Sequence, residues 1–136
     1  MENNISAIST APGIGGVAII RISGKNSLDI AEKMFTPLGR TAVKDFEPYK
    51  MYVGNIEGDG FYDFGMCVYF KAPKSYTGED MVEFHCHGGI SISRGILKKT
   101  FAGIMVKKRD RIIAKKTTIT YVNIRFSVEF SGRICY

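Results

Sequence analysis

Between Ser75 and Gly89 the chain reads Ser-Tyr-Thr-Gly-Glu-Asp-Met-Val-Glu-Phe-His-Cys-His-Gly-Gly, and this stretch constrains the fold more than any other. Thr77-Gly78-Glu79-Asp80 carries turn chemistry, and the pattern then alternates, with Val82, Phe84 and Cys86 on one face and Glu83, His85 and His87 on the other. That spacing predicts a strand holding one carboxylate and two imidazoles on the same side. Gly88-Gly89 ends the strand, and Ile90, Ser93, Arg94 and Leu97 follow at helical spacing. Free backbone N–H groups at such a helix N-terminus would suit an anionic or carbonyl ligand. Strand, paired glycines and helix together describe a place that can hold a small polar molecule.

A chain of 136 residues can bury one core and is too short for two ordinary domains. Its longest apolar run, Val17-Ala-Ile-Ile20, is far short of a membrane span, and Met1-Glu-Asn-Asn4 has neither the basic start nor the apolar stretch of a secretory leader. A cytoplasmic location without a membrane partner is therefore expected. Cys67, Cys86 and Cys135 are odd in number and lack C-x-x-C spacing, which points to reduced thiols rather than a disulfide framework or a zinc ribbon. The net charge of +6 suggests nucleic acid only until it is located along the chain. Residues 1–100 hold 11 Lys+Arg and 11 Asp+Glu, whereas residues 101–136 hold 8 and 2, so the whole excess lies in a basic tail.

Taken in order, Asn4 to Ser9 alternates as a first strand, stopped by Thr10-Ala-Pro-Gly13. Gly13-Ile-Gly15-Gly16 precedes the β-branched run Val17 to Ile22, a second strand apolar on both faces except at Arg21. A phosphate cradle needs its glycines to open a helix, and these open a strand, so a tight turn with close backbone approach is the better reading. No G-x-x-x-x-G-K-[ST] occurs, and GTP binding is not expected. Ser27 to Phe35 has the apolar spacing of an amphipathic helix, and Thr36 to Glu47 reads as a loop. Lys50 to Ile56 and Phe61 to Phe70 form a hairpin around Glu57-Gly-Asp-Gly60, and the helix after the focal strand runs from Ile90 to about Lys99. Beyond Thr100 the clusters Lys107 to Arg111 and Lys115-Lys116 have little apolar periodicity, and only Val122 to Phe130 alternates, as an added edge strand.

Two charged residues sit among apolar strand neighbours. Arg21 is either a strand-edge ion pair with a snorkelled stem or a fork for a ligand carboxylate or carbonyl. Glu83 is either its ion-pair partner or an acceptor for two parallel N–H donors on a heterocycle edge. Glu83, His85 and His87 could in principle share a metal, but zinc normally recruits a distant ligand and the chain has no further histidine, so no metal site is expected. Cys86 faces away from the histidines and reads as a small core residue, not a nucleophile, and no catalytic residue is assigned.

Ile8-Ser-Thr-Ala-Pro-Gly-Ile-Gly-Gly-Val-Ala-Ile-Ile-Arg-Ile-Ser-Gly24, Tyr76-Thr-Gly-Glu-Asp-Met-Val-Glu-Phe-His-Cys-His-Gly-Gly89 and the hairpin between them together resemble the N-terminal domain of the MnmE (TrmE) family of tRNA-modification GTPases. The resemblance covers about residues 1–100. It implies an α+β fold, a mixed sheet of about five strands with two helices, similar to the tetrahydrofolate-binding domain of aminomethyltransferases. It also implies a homodimer that binds 5-formyl- or methylene-tetrahydrofolate, with Arg21 and Glu83 at the cofactor, in an enzyme that modifies wobble uridine of tRNA with a flavin-dependent partner. The family continues with an Ala-Arg-x-Ala-x-x-Gly-Glu-Phe-Thr-x-Arg-Ala-Phe-x-Asn-Gly-Lys segment whose lysine reaches the folate, and residues 101–136 do not match it. The GTPase domain is also absent. A truncation or frame change near residue 100 would account for both the lost resemblance and the jump in charge, and weakened folate binding follows. The alternatives are a basic nucleic-acid-binding module and a non-functional fragment.

Overall fold

The computed structural model describes residues 4–109 and the backbone at 118–120 and 127–129, with side chains described through residue 103. The alternating segments become strands: β1 (Ile5–Ile8), β2 (Val17–Ser23), β4 (Met51–Glu57), β5 (Tyr62–Phe70) and β6 (Met81–His87). With β3 (Phe35–Pro37) they form a six-stranded sheet in the order β1-β2-β6-β5-β4-β3. Two helices, α1 (Ser27–Glu32) and α2 (Ile90–Arg109), complete the α+β fold.

Every strand pair in the sheet is antiparallel, where a mixed sheet of about five strands was expected. The sixth strand is β3. Phe35 was assigned to the end of the first helix and Thr36 to a loop, but α1 stops at Glu32 and Phe35 pairs with Ile56. The sheet edge overrides the helical spacing: Glu57 N donates to Met34 O at 2.7 Å, and the Phe35 ring stacks on Phe84 and meets Phe46 edge-on. Gly60, at φ +79°, closes the β4–β5 hairpin as the turn chemistry required.

α2 also departs from expectation, continuing past Lys99 to Arg109. The apolar spacing in fact persists through Leu97 and Phe101, while Gly103 lowers local helix propensity and disguises the continuation. At the middle of this helix the buried hydroxyls of Thr100 and Ser6 meet at 2.7 Å, joining α2 to β1 at the old boundary. Of the expected strand Val122 to Phe130, Ser127–Glu129 is a strand, β8. It pairs with β7 (Thr118–Thr120) in a separate two-stranded sheet rather than on the main sheet edge. The remainder of that segment and most of the basic clusters lie outside the described residues.

Period-2 alternation sends Ile20 and Ile22 of β2, Val82 and Phe84 of β6, Cys67 of β5 and Ile56 of β4 to one face, where all six are buried with Ile30, Ala31, Ile96 and Leu97 of the helices. Both helices therefore cover the same face. On the opposite face the register sets Arg21, Glu83, Val68 and Met51 in one rung across β2, β6, β5 and β4, and Ile19, His85, Met66 and Val53 in the next. No helix among the described residues covers that second face, although Val17, Met51, Val53 and Phe64 are exposed on it.

Candidate functional site

The centre of the open face is the Arg21–Glu83 pair. Arg21 and Glu83 are directly opposed across β2 and β6. Nε and Nη2 of Arg21 both donate to Glu83 Oε1, at 2.9 and 2.6 Å. The contact is thus a fork onto a single oxygen, and Oε2 is left to His85, whose Nε2 lies 3.1 Å away. The Glu83 side chain is 7% exposed and that of Arg21 25%. Burial pushes the Glu83 carboxyl up, but hydrogen bonds from His85 and Arg21, reinforced by the guanidinium charge, outweigh it and hold the carboxyl below its ordinary value of 4.5. The site therefore presents an ionised carboxylate with acceptor capacity remaining on Oε2.

The loop before β6 folds over this pair. Glu79 Oε2 accepts from Ser23 Oγ at 2.8 Å, Thr77 Oγ1 lies 2.6 Å from the same hydroxyl, and Gly24 N donates to Asp80 O. Asp80 Oδ1 in turn accepts from Ala72 N at 2.9 Å. The acidic residues of the turn thus staple the loop to the end of β2. This places the Tyr76 ring over the Arg21 guanidinium, 4.3 Å from its carbon to the ring centroid. Tyr76 was not singled out from sequence. It sits in a loop, where no periodicity reports orientation, and only its position inside the focal motif could have drawn notice.

Of the three polar residues assigned to one face, Glu83 and His85 stay together, but His87 leaves. Its Nδ1 lies 2.8 Å from Asp63 Oδ1, and its backbone N–H donates to Asp63 Oδ2 at 2.9 Å. Glu83, His85 and His87 do not converge on one point, and among the described residues no cluster of His, Cys, Asp and Glu could hold a metal ion. The α2 N-terminus is not part of the pair's surroundings either. It follows Gly88, five residues along from Glu83, about 16 Å away at strand rise. There Gly88 packs so closely on the Gly15 carbonyl that an added Cβ would overlap it. The Gly-rich loop is a backbone contact, as its position before a strand suggested.

Cys86 is buried on the helix side, its Sγ donating to Ala18 O. Burial and the nearby Asp63 charge push its thiol up to about 11, and burial raises Cys67 further still, so neither is a thiolate at neutral pH. On α2, Lys98 pairs with Asp59 at 2.6 Å and Lys99 with Glu57 at 2.7 Å, both acceptors coming from the β4–β5 hairpin region. These two cations are thereby neutralised within the domain. No helix among the described residues is long and apolar enough to cross a membrane.

Comparison with known proteins adds the decisive observation. The family described as the GTP-binding protein TrmE N-terminus matches residues 4–116. The chain belongs to this TrmE N-terminal family. Curated relatives include the tRNA modification GTPases MnmE of Fervidobacterium nodosum, 46% identical over 98 residues, of a Nitratiruptor species, 44% over 102, and of Clostridioides difficile, 38% over 99. These alignments cover 71–72% of the chain and 21–22% of each relative. The chain thus spans about a fifth of the length of the TrmE proteins it matches. The TrmE family match includes Arg21, Glu83 and all of the main sheet, and it extends along α2 past residue 100.

Proposed function

We propose that this domain binds a reduced folate, 5-formyl- or methylene-tetrahydrofolate, and pairs with a second copy of itself, as the N-terminal module of a cytoplasmic enzyme that modifies wobble uridine in tRNA together with a flavin-dependent partner. The observation that carries the folate reading is the Arg21–Glu83 pair beneath Tyr76. A pterin edge offers adjacent N–H donors, and Glu83 is a buried, ionised carboxylate whose Oε2 is hydrogen-bonded, among the described residues, to His85. The residues fit the group. Arg21, Glu83 and Tyr76 would bind and orient it, and a bound tetrahydrofolate derivative would supply the one-carbon unit for the uridine. The chain itself has no P-loop, so it contributes recognition and not nucleotide hydrolysis.

Dimerisation is supported by the uncovered apolar face, where Val17, Met51, Val53 and Phe64 are 56, 47, 41 and 54% exposed around a charged centre. Calorimetric titration with 5-formyl-tetrahydrofolate tests the first half of the proposal. Glu83→Ala and Arg21→Ala are each expected to weaken binding by about 2–4 kcal/mol, because the partner is left buried and unpaired. Affinity unchanged in both variants removes these residues from the site. Sedimentation equilibrium tests the second half: a dimer is expected, converted to monomer by Val53→Asp with Phe64→Asp, and a wild-type monomer at every concentration overturns it.

A further inference from the structure

Nε and Nη2 form one edge of the Arg21 guanidinium, and such an edge ordinarily takes both oxygens of a carboxylate, one nitrogen to each. In this pair both nitrogens instead converge on Glu83 Oε1, at 2.9 and 2.6 Å. What holds Oε2 aside is His85, whose Nε2 lies 3.1 Å from it. An ionised carboxylate can only accept, so the imidazole carries a proton on that nitrogen. The two pulls on the carboxylate run in different directions. Arg21 faces Glu83 across β2 and β6, whereas His85 stands two residues along β6 on the same face, in the next rung with Ile19 and Met66 as its cross-strand neighbours. The His85 side chain is 18% exposed, so the donor is held within the sheet surface. His87, the other imidazole of β6, is engaged with Asp63.

We infer that His85 is a positioning residue: it turns the Glu83 carboxylate so that Arg21 closes on one oxygen and the other stays available to a ligand on the uncovered face. The inference rests on the folate reading above for the identity of the ligand, while the geometry stands without it. Take away the imidazole N–H, and Oε2 is released to swing into the guanidinium plane, giving the ordinary pair with one nitrogen on each oxygen. Glu83 then stays ionised and paired, but both of its oxygens are taken by the protein's own cation. Loss of His85 therefore closes the acceptor without breaking the clamp. A role confined to packing predicts the reverse, a loss of stability with the fork unchanged. Glutamine at this position keeps an N–H donor and should keep the fork on one oxygen.

The test uses His85→Leu and His85→Gln with three readouts. Crystal structures of the ligand-free proteins should show Arg21 on Oε1 alone in wild type and His85→Gln, and on both oxygens in His85→Leu. Titration calorimetry with 5-formyl-tetrahydrofolate should find His85→Leu about tenfold weaker, the scale of one lost hydrogen bond to a charged group, and His85→Gln within about twofold of wild type. Urea denaturation should find His85→Leu no less stable than wild type, because the two-oxygen fork replaces the lost bond. A His85→Leu structure that keeps the one-oxygen fork, or a His85→Leu variant that binds the ligand like wild type, overturns the positioning role while folate binding stands. A wild-type protein that binds no 5-formyl-tetrahydrofolate overturns the folate reading, and the fork seen in the His85→Leu structure then supports or overturns the role of His85 by itself.

Discussion

Arg21 grips a single oxygen of Glu83 with two of its nitrogens, leaving the other oxygen to His85. This asymmetry makes the pair both a structural clamp and an open acceptor. It also makes the two partners unequal, because Glu83 is the more deeply buried of the two.

Removing the cation should therefore cost more stability than neutralising the anion. Arg21→Met leaves a buried carboxylate with His85 as its remaining side-chain hydrogen-bond partner among the described residues and is expected to destabilise by about 2–4 kcal/mol. Glu83→Gln keeps an acceptor for Arg21, whose guanidinium can still reach water, and should cost about 1 kcal/mol. Urea denaturation of both variants measures the difference, and equal costs would contradict the burial order.

The depressed Glu83 carboxyl gives stability a defined acid dependence. A carboxyl held lower in the folded state than its ordinary 4.5 stabilises the fold fully above that value and loses the contribution as pH falls through the folded-state value. Melting temperature should thus decline on acidification below about pH 4.5. Glu83→Gln should flatten this decline, and an identical pH profile in variant and wild type would show that Glu83 carries none of it.

Gly88 should not tolerate a side chain. A Cβ there overlaps the Gly15 carbonyl and crowds Val17 N, whereas a Cβ at Gly16 meets nothing within 4 Å. Gly88→Ala is expected to destabilise by about 1–3 kcal/mol through overpacking. Gly16→Ala, its control in the facing loop, should change stability much less. Thermal melts of the two variants decide, and comparable stability would mean the loop yields easily.

Cys67 and Cys86 should resist alkylation in the native protein. Both are buried, and their thiols are raised in pKa by that burial. Iodoacetamide at pH 8, followed by peptide mass mapping, should leave both unmodified until urea is added. Rapid native labelling of Cys86 would mean that the contact between β6 and the helices opens readily.

The candidate site was legible as two residues and not as a site. A guanidinium amid Ile19, Ile20 and Ile22, and a carboxylate between Val82 and Phe84, stand out because burial of either charge demands a partner. Alternation in β2 and β6 likewise settled which side chains enter the core, since period 2 is a local property of extended backbone. The sequence also carried the motifs whose resemblance the family match bears out.

What the local pattern cannot contain is register between distant strands, the sheet edge that turned Phe35 from helix to strand, or the loop closure that put Tyr76 on Arg21. Those are pairings between segments far apart in the chain, chosen by the packing of the whole sheet. His87 shows the limit most clearly. Its position in the alternation assigned it to Glu83 and His85, but at the strand end the nearer carboxylate is Asp63 on β5, and that neighbour exists only once the chain has folded.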